Sequence, residues 1–123
     1  MRRKGKTILI AIRTSKQAAK DAIKAWKRAE SNQPIELPVD RIYFPSEDLL
    51  FKTLSTKRRE LLRSLRQSGA SSIKRLAEML DRDYKNVHSD VKLLAKIGLV
   101  NFDKENKAFV PWDNIALEIA LAA

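Results

Sequence analysis

Residues 71–100, SSIKRLAEMLDRDYKNVHSDVKLLAKIGLV, constrain the fold more than any other stretch of the chain. Ile73, Leu76, Ala77 and Leu80 follow i, i+3, i+4, i+7 spacing, which lays one apolar stripe along a helix that Ser71 or Ser72 can cap. Asp83 is the cap of a further helix, whose buried stripe is Tyr84, Val87, Val91 and Leu94, with Ile97 at its edge. The small side chain of Ala77 lets the two helices cross closely. Gly98 ends the second helix, since the left-handed residue past a helix end is least strained as glycine. Two short amphipathic helices joined tightly form a helix-turn-helix.

The flanks extend this unit on both sides. Thr56 is a cap for a helix over Lys57–Gln67 that turns Leu61, Leu62 and Leu65 inward and stops at Gly69. Before it, Pro45 and Ser46 open a short helix, Glu47–Leu54, with Glu47 and Asp48 favourably placed in its first turn. After Gly98, Leu99–Phe102 pairs with Ala108–Pro111 across the charged turn Asp103–Lys107, a β-hairpin. A helix-turn-helix followed by such a hairpin is a winged helix.

The ends of the chain are more than a winged helix requires. Thr7–Ile12 is a β-branched strand, and Ser15 caps a helix from Lys16 to about Glu30. Its apolar stripe is Ala18, Ala19, Ala22, Ile23 and Trp26, with Lys16, Lys20, Lys24, Lys27 and Arg28 largely away from it. SNQPIELPVD is a connector whose prolines cannot continue a helix, and RIYF, Arg41–Phe44, is a short strand. In DNIALEIALAA, large apolar residues alternate with Ala and Glu, which favours a strand, although Ala and Leu also permit a short helix. As a strand it needs a partner, and Thr7–Ile12 is one candidate. The expected organisation is α+β: a strand-helix-strand extension over 1–45, a winged helix-turn-helix over 46–112 and an apolar strand over 113–123.

A net charge of +10 points to an anionic partner. The charge sits in two blocks. Residues 1–31 hold ten Lys or Arg against two acidic residues, and residues 56–98 hold eleven against five, whereas 32–55 and 99–123 are each −2. The apolar run TILIAI is six residues long and then charged, too short for a signal peptide or a membrane span. Membrane-surface binding would group large apolar residues opposite the lysines, and the helix-turn-helix instead turns its apolar face toward a core. The absence of cysteine excludes disulfides and thiolate metal sites, so a cytoplasmic location is expected.

The sequence places the binding surface on the helix after Asp83. With Val87 at the centre of its buried stripe, 100° per residue sends Lys85, Ser89, Lys92 and Lys96 to the far side and Asn86 and His88 to the flanks. Recognition helices meet bases with their N-terminal half, so Lys85, Asn86, His88 and Ser89 are the candidates for base edges, Asn86 suited to adenine and Lys85 to guanine. Ser72, Lys74, Tyr84, Lys92 and Lys96 are candidates for phosphate, and Lys104, Asn106 and Lys107 on the wing for an adjacent groove. Each has a plain alternative. Lysines opposite an apolar stripe are usually a solvated face, Asn86 is equally a surface residue of low helix propensity, and Tyr84 suits the core as well as a phosphate. His88, the single histidine, cannot form a tetrahedral zinc site, and no nucleophile-base pair or glycine-rich phosphate loop is present, so neither metal, cofactor nor enzymatic activity is expected.

The run RDYKNVHSDVKLLAKIGLV, with TKRRELLRSLRQSG before it and VPWD after it, resembles a family of small prokaryotic DNA-binding proteins related to MarR-type winged-helix regulators. The likeness is densest from Leu54 to Val100. It implies a transcriptional regulator that binds double-stranded DNA and controls its own gene, some members lying beside toxin genes. The extra strands and helix suggest a dimerisation module, hence a homodimer on a palindromic operator, its recognition helices about 34 Å apart. In a second reading, an antitoxin or interaction protein binds a cognate toxin or other acidic protein through the basic helix Lys16–Glu30. In a third, nucleic acid is bound without sequence preference, or RNA is bound by its structure.

Overall fold

The computed structural model describes residues 6–31 and 40–121. The basic residues Arg2, Arg3 and Lys4 and most of the proline-containing connector lie outside the described residues. The fold mixes helices and strands, in the order β1 (Thr7–Ile12), α1 (Ser15–Glu30), β2 (Arg41–Phe44), α2 (Glu47–Thr53), α3 (Thr56–Ser68), α4 (Ile73–Leu80), α5 (Tyr84–Ile97), β3 (Asn101–Phe102), β4 (Ala108–Phe109) and β5 (Asn114–Glu118). No described helix is long and apolar enough to cross a membrane.

The chain divides into two compact units: the described residues of Met1–Thr7 with Thr53–Asn114, and those of Ile8–Lys52 with Ile115–Ala123. These boundaries differ from the expected 1–45, 46–112 and 113–123. Most of α2 groups with the first strands rather than with the helices after it, and the last strand belongs to the same unit as those strands.

In the first unit, α3 packs on α4 and α4 on α5, and β4 lies against α3. Leu61, Leu65, Leu76, Val87, Val91, Leu94 and Leu99 are fully buried between them. Each buried Leu or Val side chain stabilises the unit by roughly 1.5–3 kcal/mol relative to exposure, which is why the helical stripes dictate the packing. The caps are polar and local. Ser55 Oγ accepts from Arg58 N–H, Ser72 Oγ from Arg75 N–H and the Asp83 carboxylate from Asn86 N–H. The first of these corrects the expectation that Thr56 is the cap: Ser55 holds the extended conformation of a cap, and Thr56 is already helical. Ser72 is chosen over Ser71 for a packing reason, because Ser71 is buried and bridged to Ala108 through reciprocal backbone hydrogen bonds. Gly69 (φ 81°) and Gly98 (φ 99°) end α3 and α5 in left-handed backbone as expected, while Asp81 (φ 50°) does the same for α4 without glycine.

The hairpin is shorter than expected. Only Asn101↔Phe109 and Phe102↔Ala108 pair, because Leu99 and Val100 are buried under α5 and their N–H groups both donate to Leu94 C=O. Trp112 Nε1 donates to Gly98 C=O at 3.0 Å, tying the segment after the hairpin to the end of α5.

The second unit is a three-stranded sheet of order β2-β1-β5, so the last strand does lie beside Thr7–Ile12. β1 and β2 are parallel, with Ile10↔Ile42 and Ile12↔Phe44 in register. Parallel neighbours need a crossover of a dozen or more residues, the role of α1. Thr14 opens α1 through a reciprocal capping box: Thr14 Oγ1 accepts from Gln17 N–H, and Gln17 Oε1 accepts from Thr14 N–H at 2.8 Å. This corrects the expected cap, Ser15, which is helical and whose side chain lies outside the described residues. A second correction concerns the apolar stripe of α1. Ala18, Ala19, Ala22, Ile23 and Trp26 are all exposed, Trp26 at 68% and Ile23 at 55%, and the Trp26 indole N–H donates to Glu30 of its own helix. The core of this unit is Ile8, Ile10, Ala11, Phe44 and Leu50 instead.

Candidate nucleic-acid interface

Helix α5 presents the candidate residues on the side opposite Val87, Val91 and Leu94. Lys85, Asn86, Ser89, Lys92 and Lys96 are exposed and His88 is half-buried. Tyr84 departs from its expected place in the buried stripe. It is 51% exposed, and its ring lies 5.8 Å from that of His88 at a tilt of 39°, so the two form an aromatic pair on the flank.

The buried face of α5 also carries a carboxylate, Asp90, which shares the i, i+3, i+4, i+7 spacing of Val87, Val91 and Leu94. Asp90 Oδ1 accepts from Arg58 Nε on α3 at 3.0 Å, and Oδ2 accepts from Arg82 Nη2 in the α4–α5 turn at 2.7 Å. Arg58 Nη1 also donates to Thr53 C=O at 3.1 Å. The carboxylate thus joins three separate segments of the first unit. Together with the buried Val87, Val91 and Leu94, these bonds hold one face of α5 inward and leave Lys85, Asn86 and Ser89 exposed. The partners are 32 and 8 residues away, beyond any local spacing rule.

The remaining candidates fall into two depressions and a turn. One open groove, about 480 Å³, is lined by Lys74, Ala77, Glu78, Asp81, Arg82, Asp83 and Tyr84. It brings Lys74 and Tyr84 together, but beside three carboxylates, which oppose a phosphate there. A smaller depression, about 310 Å³, brings Ser72 and Lys107 together with Ser68, Ser71 and Arg75. Arg75 was not among the expected phosphate contacts; its only sequence signal is a basic residue in the first turn of α4. Lys92 and Lys96 do not act as one pair, since Lys92 Nζ sits 4.9 Å from the centroid of the Phe102 ring and so bridges α5 to the hairpin.

In the hairpin turn, Lys104 is exposed, and Lys107 Nζ lies 3.4 Å from Glu105, which partly neutralises it. Asn106 has a conformational role: it adopts φ 62°, and the turn closes as Asp103 Oδ1 accepts from the N–H groups of Glu105 and Lys107. At the far end of the unit, Asp113 accepts from the Arg66 guanidinium and from Lys6 N–H. The Arg66 hydrogen bond, and then the Lys6 N–H, hold its carboxyl below the usual carboxylate range.

Among the described residues no group of three His, Cys, Asp or Glu side chains could hold a metal ion. Comparison with known proteins finds no matching curated protein and no matching solved structure. One family model, described as HVO_A0114, matches residues 53–117, which takes in α3 to β4 and the capped, Asp90-braced α5 and covers 65 of 123 residues. The chain therefore belongs to the HVO_A0114 family.

Proposed function

We propose that this protein is a sequence-specific DNA-binding transcriptional regulator, non-enzymatic, acting as an autorepressor that binds a palindromic operator as a homodimer. In this reading α4 and α5 are the helix-turn-helix of a MarR-like winged helix and the β3–β4 hairpin is its wing. The observation that carries it is the outward face of α5, where Lys85, Asn86 and Ser89 are exposed on a helix fixed by a cap, a left-handed stop and the Asp90 ion pairs. A base-reading helix needs donors and acceptors at its N-terminal half and a rigid mount for them. The net charge of +6 over residues 56–98 supplies the long-range attraction to phosphate.

The test is selection of duplexes from a random library by the full-length protein, followed by binding of the selected site to Lys85→Ala and Asn86→Ala. Each lost base contact should weaken the selected site by about 1–3 kcal/mol and relax the preference at one base pair. An unselective library with a steep salt dependence would instead favour nonspecific nucleic-acid binding.

A second reading is favoured by one observation, the uncovered Ile23 and Trp26 among the lysines of α1. There the protein is an antitoxin or interaction protein that docks an acidic protein on α1, with DNA binding auxiliary. The same two alanine variants separate the readings, because they leave partner binding intact.

A further inference from the structure

The β2-β1-β5 sheet ends differently at its two edges. On one side, β2 begins with the exposed Arg41, whose Nη1 donates to Tyr43 Oη at 3.2 Å, and Pro45 follows its last residue. A cation on the edge and a proline at its end are devices by which sheets refuse further strands. The other edge has neither. β5 reads Asn-Ile-Ala-Leu-Glu, with Glu118 its one charged residue, and no strand lies on its outer side among the described residues. Ile115 and Leu117, two apart and so on one face, are 37% and 49% exposed.

We propose that β5 pairs with β5 of a second copy of this chain, antiparallel, about a two-fold axis at Ala116. The strand is complementary to itself in this register. Ile115 stands opposite Leu117 of the second copy, twice by symmetry, and Asn114 stands opposite Glu118, so that an amide N–H faces a carboxylate at both ends. Apolar area that is exposed in one copy is covered by the same area of the other, and no like charges meet. A slip of one residue would send Ile115 and Leu117 of the two copies to opposite faces, and moving the axis to Leu117 would set each Glu118 against an alanine. The near absence of charge on β5 is also what selects a second copy over a charged partner, for which the strand offers one carboxylate and nothing else. The result is a continuous six-stranded sheet whose outer edges are both the Arg41-bearing β2.

This interface rests on the homodimer of the proposed function and names the surface that makes it. It is tested on the full-length protein, which has no native cysteine. Directly opposed Cα atoms in antiparallel strands lie roughly 4.5–5.5 Å apart, within disulfide reach. The variant A116C should therefore form a covalent dimer under copper-catalysed air oxidation. I115C and L117C should do so poorly alone and readily when mixed. Separately, Leu117→Lys should reduce the light-scattering mass from dimer to monomer with the circular dichroism spectrum unchanged. The inference is overturned if A116C links no faster than K57C at an exposed position of α3, if mixing I115C with L117C gives no gain, or if wild-type protein is monomeric. A monomer that still selects a DNA site would remove this interface and leave DNA reading intact. A dimer linked through A116C with no DNA preference would do the reverse.

Discussion

Asp90 and Arg82 form a 2.7 Å ion pair between the middle of α5 and the turn that precedes it, with side chains only 12% and 19% exposed. Arg58 closes the same carboxylate from α3. Asp90→Ala leaves two guanidinium groups in a poorly solvated place without their anion, and removing one partner of such a buried pair costs about 3–5 kcal/mol. Chemical denaturation should show a loss of that order, and Asp90→Asn, which keeps an acceptor, a smaller one. A loss within about 0.5 kcal/mol, the size of an ordinary surface change, would contradict this role.

Gly69 offers a cleaner backbone test. A Cβ built there meets nothing within 4 Å, so steric crowding cannot explain any cost, yet φ 81° with ψ −169° is a conformation reserved in practice for glycine. Gly69→Ala should therefore destabilise the protein by about 1–3 kcal/mol from backbone strain alone. Thermal unfolding of Gly69→Ala beside Ala70→Gly, one residue on, measures it.

Asp113 sets a pH dependence. Its carboxyl is held below the ordinary range by Arg66 first and then by Lys6 N–H, so the folded state binds its proton less readily than the unfolded state does. The stabilisation is fully present above the unfolded carboxyl value of about 3.9 and is lost as pH falls through the lower folded value. Urea midpoints compared between pH 6 and pH 3 should fall less for Asp113→Asn than for the parent chain.

The proposed base-reading face should separate from stability. Lys85 and Asn86 are exposed and carry no side-chain hydrogen bond needed by the fold, since the Asp83 cap is received by the backbone N–H of Asn86. Their alanine variants should unfold within about 0.5 kcal/mol of the parent while losing affinity for a selected duplex. Equal losses in both measurements would point to a structural role instead.

The uncovered face of α1 gives a second separation. Ile23→Ser with Trp26→Ser removes large apolar groups that the described fold does not bury, so stability should again change by no more than about 0.5 kcal/mol. A cost of about 3 kcal/mol or more, as for core truncation, would mean that this stripe is covered in solution.

Much of the chain's local structure was determined by sequence alone. β1, β2 and the helices from α2 to α5 follow from apolar spacing, and the stops at Gly69 and Gly98 follow from left-handed backbone. These signals act within a few residues, where periodicity of 2 or 3.6 and a cap are enough. The exposed set Lys85, Asn86 and Ser89 was legible for the same reason, being the complement of Val87 and Val91. The remaining features depend on groups that meet from far apart. Spacing puts Asp90 on the face of Val87, Val91 and Leu94, but not the cations that meet it there, because Arg58 and Arg82 reach it from other segments. The α1 stripe has helical spacing whether or not another element covers it, so its exposure could not be read from spacing. The Thr14–Gln17 box, and Ser55 in place of Thr56, were decided by which residue takes the extended backbone next to the helix. β5 joins both cases: its alternation is written in DNIALE, but that it forms an open edge beside β1, opposite the Arg41-guarded β2, is a property of the assembled sheet.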